Sequence, residues 1–200
     1  MSHDCFSFII YIIHACANQW NTSPSNFGWT HYRYYYERGC CMIVYHGSNC
    51  IVDHPDIYHS FHNLDFGKGF YVTSNRQQAE RWARRKSDLK KSSKAIVNIY
   101  DMNDSMKELK VLNFGENLYE WIDFVCQCRD GETKYQQYDI IIGKVANDKV
   151  FRVVDMYHSG IWDKERALKE IKVYPTYDQI AFITQKAISS VLQFQKYEEV

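Results

Sequence analysis

This 200-residue chain has no excess of either charge, no apolar run long enough for a bilayer and no paired cysteine motif. Lysine plus arginine number 24, as do aspartate plus glutamate, so the formal net charge is zero. A balanced total points to neither a nucleic-acid nor a membrane partner. The most apolar stretch, CFSFIIYIIHACA at residues 5–17, falls short of the about 20 residues a membrane-spanning helix takes. It ends in Ala15-Cys16-Ala17, in the manner of a signal-peptidase site, yet Met1-Ser2-His3-Asp4 supplies no lysine or arginine, which argues against a secretory signal. Seven cysteines occur (Cys5, Cys16, Cys40, Cys41, Cys50, Cys126 and Cys128), and Cys126 and Cys128 form C-x-C rather than C-x-x-C. Zinc-type spacing is therefore missing and no metal is expected. Free thiols in a reducing cytoplasm are the simplest account, with a structural disulfide left open. Neither G-x-x-x-x-G-K-[ST] nor a helix-opening G-x-G-x-x-G occurs, so a phosphate loop of either kind is excluded. There is no internal repeat and no low-complexity tract.

What is present fits one domain. The apolar fraction is 46%, ordinary for a globular chain. Residues 18–41 are rich in Trp, Tyr, Asn and Cys without periodicity of 2 or 3.6. Residues 1–41 thus read as an irregular extension, and residues 42–200 as the domain. A strand pattern begins at Met42-Ile43-Val44-Tyr45, and Glu37-Arg38-Gly39 admits purine-rich codons like those of a bacterial ribosome-binding site. Met42 is therefore a candidate true start, with residues 1–41 a mis-annotated extension. A native terminal peptide beginning at Met42 in mass spectra is the test.

Within the domain, strands are expected at 42–46, 70–73, 95–100, 139–145 and 180–183. Helices are expected at about 76–86, capped by Ser74 or Asn75, at 116–128, at 163–171 with Asp163 as cap, and at 186–194. Ala79, Trp82 and Ala83 share one face of the first helix, and Leu118, Trp121, Ile122 and Val125 one face of the second. Lys86–Lys94 reads as a charged loop, and Asn147-Asp148 as a turn. Arg81, Arg84, Arg85 and Lys86 form a basic helix end, favoured by the helix dipole. Strands and helices alternate irregularly, as in an α+β fold rather than a βαβ repeat.

Three segments carry candidate chemistry: Tyr45-His46-Gly47-Ser48 at the end of a strand, Phe66-Gly67-Lys68-Gly69-Phe70-Tyr71-Val72-Thr73 before a helix, and Tyr177-Asp178-Gln179-Ile180-Ala181-Phe182 entering the last expected strand. Each has a plain structural reading. A histidine at a strand end is often a satisfied core residue, Gly-x-Gly before a strand is often a turn or bulge, Tyr71 alone reads as core, and Asp178-Gln179 could simply hold a loop.

Together and in this order, Y-H-G-S and G-K-G-F-Y-V-T resemble the NAD-binding core of ADP-ribosyltransferases, nearest in pattern to the diphtheria-toxin and poly(ADP-ribose) polymerase branch with its His-Tyr-Glu triad. Residues 42–192, with L-D-F-G-K-G-F-Y-V-T, W-I-D-F-V, Y-D-I-I-I-G-K-V-A-N-D and Y-D-Q-I-A-F, also resemble DUF3990, a bacterial family of small proteins placed in that superfamily. The resemblance implies a split β-sheet core with flanking helices. It implies NAD as substrate, with His46 bonding a ribose hydroxyl, the backbone at Gly47 and Ser48 holding the nicotinamide carboxamide and Tyr71 stacking on the nicotinamide ring. Gly67, Gly69 and Phe70 would shape the donor pocket, and the loop at 55–65 would cover it. The family's glutamate, which stabilises an oxocarbenium-like centre, aligns with Gln179. A neutral amide bonds hydroxyls but offers neither full charge nor general-base chemistry. Such a loss costs roughly 10² to 10³ in rate, so single transfer is expected rather than polymer elongation. Asp178 and Asp148 are lesser candidates for the missing charge; on a strand Asp178 points away from Gln179. The resemblance further implies a bacterial toxin or effector, an unknown protein or nucleic-acid acceptor and an antitoxin-like partner. The alternative is a non-catalytic module binding NAD or ADP-ribose.

Overall fold

Runs of β-branched and aromatic residues, bounded by turn formers, set the strands. The computed structural model describes residues 41–60, 64–90, 94–103, 106–145, 148–174 and 177–200; the expected extension at 1–41 therefore lies outside them except for Cys41. Strands are β1 (Met42–Ser48), β2 (Phe70–Val72), β3 (Ile96–Met102), β4 (Val111–Asn113), β5 (Ile140–Lys144), β6 (Asp178–Phe182) and β7 (Leu192–Glu199). Helices are α1 (Arg76–Leu89), α2 (Leu118–Arg129), α3 (Asp148–His158), α4 (Lys164–Ile171) and α5 (Gln185–Val191), with a 3-10 turn at Lys134–Gln137. The fold is α+β.

Two sheets form. One is antiparallel in the order β1-β3-β7; the other runs β2-β6-β5-β4, antiparallel except for the parallel β4–β5 pair. They meet at a seam where Tyr45 N donates to Thr73 O at 2.8 Å and Thr73 N to Tyr45 O at 3.0 Å. Alternation along each strand then divides the core. Val44, Tyr100 and Met102 of the first sheet pack with Phe70, Val72, Ile140, Ile142, Ile180 and Phe182 of the second. The opposite face of the second sheet, through Ile141 and Ala181, packs on Trp121, Ile122 and Val125 of α2, Val150, Val153 and Val154 of α3, and Ala167 and Ile171 of α4. The far face of the first sheet is covered by Ala79 and Ala83 of α1 against Val97 and Ile99.

The caps follow their residue types. Asn75 accepts from Gln78 N at 3.0 Å and Asp163 from Arg166 N at 2.8 Å. Several expectations are corrected. Helix α1 continues past Lys86 to Leu89, taking the start of the expected charged loop. Trp82 is 42% exposed rather than core, with Arg85 over its ring at 5.9 Å; only the two alanines of its trio meet β3. Asp148 opens α3 instead of sitting in a turn, and Asn147 lies outside the described residues. The expected helix 186–194 stops at Val191, and Leu192–Glu199 becomes β7, which pairs residue by residue along β3 with a bulge between Ile99 and Tyr100. Strand β4 was not expected; it is only three residues long. Among the described residues no helix is long and apolar enough to cross a membrane.

Candidate functional site

The seam between the sheets positions His46. Its Nδ1 lies 2.6 Å from the Tyr71 carbonyl oxygen. A carbonyl only accepts, so the proton belongs on Nδ1, and a neutral ring then leaves Nε2 as an acceptor. Burial pulls the imidazole pKa from 6.5 to about 3, helped by the nearby Lys86 ammonium and opposed by the Tyr71 bond. The ring is therefore neutral at physiological pH. It stacks on Phe70, with centroids 4.6 Å apart and planes 27° apart. Nε2 makes no hydrogen bond to a described residue.

Gly47 is a close-approach glycine. A Cβ there would sit 2.0 Å from the Ala79 carbonyl oxygen and 2.8 Å from Ala83 N, so α1 lies directly on the β1 backbone. The Gly47 carbonyl accepts from Lys86 Nζ at 3.0 Å, and burial lowers the Lys86 pKa. That carbonyl is thus already engaged by a cation. Ser48 is buried, with Oγ 3.5 Å from Cys50 Sγ. Asn98, fully buried on β3, holds the chain beyond β1 by accepting from Val52 N at 2.8 Å and donating to Cys50 O at 3.2 Å.

On β2, Phe70 and Tyr71 face opposite ways. Phe70 joins the core between the sheets, whereas Tyr71 packs against the helix-side core. The structure thus joins the imidazole to the Tyr71 backbone and the Phe70 ring, and sends the phenol to the other face. There Tyr71 Oη donates to Gly67 O at 2.6 Å and accepts from Phe66 N at 3.1 Å. Burial, then the Asp65 charge, pushes its pKa well above the usual value, so the phenol stays a fixed neutral group. Gly67 has φ +76°, and a Cβ on it would strike the Tyr135 ring at 2.4 Å. A Cβ on Gly69 would lie 2.5 Å from Phe182 O, and Gly69 N donates to Ser60 Oγ at 3.0 Å. Of the 55–65 loop, residues 61–63 lie outside the described set.

Gln179 shares the phenol's face: Tyr71 pairs with Ala181, two residues along β6. It is buried, and Nε2 donates to Asp65 Oδ2 at 3.3 Å and to Lys144 O at 3.4 Å. Asp65 Oδ1 in turn accepts from Arg129 Nη2 at 2.7 Å and Nε at 3.2 Å. Arg129 and Asp65 are only 10% and 15% exposed. Arg129 also reaches Asp155 at 3.2 Å and lies 4.1 Å over the Phe151 ring. Asp65 and Arg129 were missed as site residues; the one signal was Asp65's place directly before the F-G-K-G motif. Asp178 accepts from Ser74 Oγ at 2.6 Å and Ser74 N at 3.0 Å, tying β6 to the start of α1.

Other chemistry is sparse. Among the described residues no group of three or more His, Cys, Asp or Glu could hold a metal. Cys41 is exposed and Cys50 is an exposed free thiol; Cys126 and Cys128 are buried free thiols, their pKa values raised by burial to about 11 and about 12. A cavity of about 370 Å³ lies beyond Lys144, lined by Glu116, Leu118, Lys144, Ile171, Lys172 and Tyr174. For NAD the fit is mixed. The His46 Nε2 acceptor suits a ribose hydroxyl, while the Gly47 carbonyl is taken and Gln179 brings no charge.

The family model described as protein of unknown function (DUF3990) matches residues 42–194. No curated protein and no solved structure gives a significant match. The chain belongs to the DUF3990 family.

Proposed function

We propose that this DUF3990 protein has the split-sheet core of an ADP-ribosyltransferase and transfers one ADP-ribose from NAD to a protein or nucleic-acid acceptor. The observation that carries the reading is the His46 Nδ1 bond to the Tyr71 carbonyl at 2.6 Å. It fixes an uncharged imidazole at the seam of two sheets with Nε2 left to accept a hydroxyl proton. His46 lies on β1, Tyr71 on β2 and Gln179 on β6, with β2 and β6 paired; the Tyr71 and Gln179 side chains share the face opposite to His46, so the phenol is not free to stack on the nicotinamide ring. NAD supplies a glycosidic bond to nicotinamide that breaks as the acceptor's nucleophile bonds to the ribose. His46 orients the ribose by accepting a hydroxyl. Tyr71 holds the Phe66–Gly67 turn that borders the donor. Gln179 bonds a hydroxyl without adding charge, which suits single transfer over elongation.

Radiolabelled NAD tests the reading. The intact protein releases nicotinamide, and His46→Ala lowers the rate by roughly 10²-fold or more. Equal release from the variant would end the proposal. A second reading, a module that binds NAD or ADP-ribose without turnover, is favoured by one observation: the carboxylate beside Gln179 is already neutralised by Arg129 at 2.7 Å. Calorimetric binding with no nicotinamide release selects it. As a transferase the protein would act in a cytoplasm, as a toxin or effector restrained by an antitoxin-like partner.

A further inference from the structure

Gln179 is 7% exposed, and a buried amide has a donor end and an acceptor end that cannot be exchanged freely. The two groups within reach of Nε2 are the Asp65 carboxylate at 3.3 Å and the Lys144 carbonyl at 3.4 Å. Both only accept. Turning the amide over would set Oε1 against two other acceptors with no proton between them, a costly arrangement in a buried site. The nitrogen end is therefore committed to the protein. Oε1 makes no hydrogen bond to any described residue. Asp65 is itself immobilised, since two guanidinium nitrogens of Arg129 grip its other oxygen at 2.7 and 3.2 Å. Arg129 is anchored in turn by Asp155 and by the face of Phe151.

We infer that Asp65 is the positioning residue of the third triad site: it holds the Gln179 amide by its nitrogen, so that Oε1 is presented to a hydroxyl of the donor ribose. This inference rests on the proposed transfer reading. The oxygen acceptor is kept at position 179. The negative charge stands one hydrogen bond behind it, at Asp65, with Arg129 setting how much of it is felt.

The pair can be inverted to test this. Gln179→Glu alone faces one carboxylate with another, and like charges at that range force one of them to keep a proton. Asp65→Asn alone removes the charge that Arg129 grips and weakens the hold on Gln179. The double variant Asp65→Asn/Gln179→Glu restores a donor–acceptor pair with the roles exchanged. Melting temperature and nicotinamide release from labelled NAD are measured for all four proteins. Expected are lower melting temperatures for both single variants and recovery in the double. Release by the double should exceed that of Gln179→Glu at least tenfold at neutral pH. Release by Gln179→Glu should also rise with pH through a carboxyl titration above the ordinary range, a feature absent from the double variant. A double variant that folds where Asp65→Asn does not is the same result in stronger form.

Additive melting shifts, with no recovery in the double, overturn the inference whatever the activity. So does wild-type release left unchanged by Asp65→Asn. Coupled melting shifts with no release from any of the four proteins support the positioning and overturn the transfer reading instead.

Discussion

The two sides of β2 are built on opposite principles. On the seam side, His46 is neutral, held by one backbone carbonyl and an aromatic ring, beside a helix packed so tightly that position 47 has no room for a side chain. On the helix side, Gln179 is held by a polar contact to a largely buried ion pair, Asp65–Arg129, and Tyr71 by the backbone turn that follows Asp65. The first side is secured by shape, the second by charge. Shape-held sites fail when volume is added; charge-held sites fail when one partner is removed, because the other is left buried alone. The difference gives each side its own way of breaking.

The largest effect is expected on the charged side. Arg129→Met strips Asp65 of its cation while leaving the carboxylate within the core, and unfolding free energy should drop by about 3–5 kcal/mol. Asp65→Asn/Arg129→Met removes both charges and should recover much of that loss. Denaturant titration of the two proteins checks it, and equal instability of single and double variants would show that the ion pair is incidental. On the seam side, Gly47→Ala should cost about 3 kcal/mol, since its methyl group would sit 2.0 Å from the Ala79 carbonyl and push α1 off β1. Its signature is loss of His46 order, read from imidazole NMR shifts, with the Asp65–Arg129 region unaffected.

Tyr71 lies between the two regimes. Tyr71→Phe keeps the ring in the helix-side core and removes only the hydroxyl that joins Phe66 N and Gly67 O. A loss of about 1–2 kcal/mol is expected, the cost of leaving those backbone groups without their partner. Because the His46 bond goes to the Tyr71 backbone and not to its phenol, the imidazole titration should not move. A displaced titration would mean that the sides communicate through the ring, and the contrast between them would weaken.

Local sequence made the motif residues of both sides far more legible than the ion pair behind them. His46, Gly47 and Tyr71 lie in short motifs at a strand end and before a capped helix, and strand, turn and cap chemistry place such residues without knowledge of the fold. Their roles were less legible. Gly47 reads as a ligand-facing glycine in a motif, whereas its need for no side chain comes from Ala79 on α1, a contact that exists only once the helix has packed. Asp65 and Arg129 were invisible as a pair. Each is of a type normally found on surfaces, and they are brought together only by the packing of α2 against the second sheet. Strand β7 was misread because the helical pattern of Lys186–Val191 runs directly into Leu192, with no glycine or proline to mark the change. Val150, Val153 and Val154 have the spacing of helix α3, but Asn147-Asp148 has the composition of a turn, and that composition hides an aspartate that opens the helix.

The pH dependence of stability sharpens the comparison furthest, because only the neutral side should show it. His46 titrates at about 3 in the folded protein against 6.5 for the free group. The unfolded chain therefore takes up a proton that the folded one refuses. Stability from the neutral ring is fully present above pH 6.5 and declines as the pH falls from 6.5 towards 3, with no further loss from this group below that. His46→Gln keeps a side-chain N–H for the Tyr71 carbonyl but cannot titrate. Its unfolding free energy between pH 6.5 and 4 should fall less steeply than that of the parent, while the two slopes agree above pH 7. Parallel slopes throughout would mean that the imidazole takes up its proton alike in the folded and the unfolded chain, so that the seam does not hold the ring neutral below pH 6.5 and the contrast with the charged side is lost.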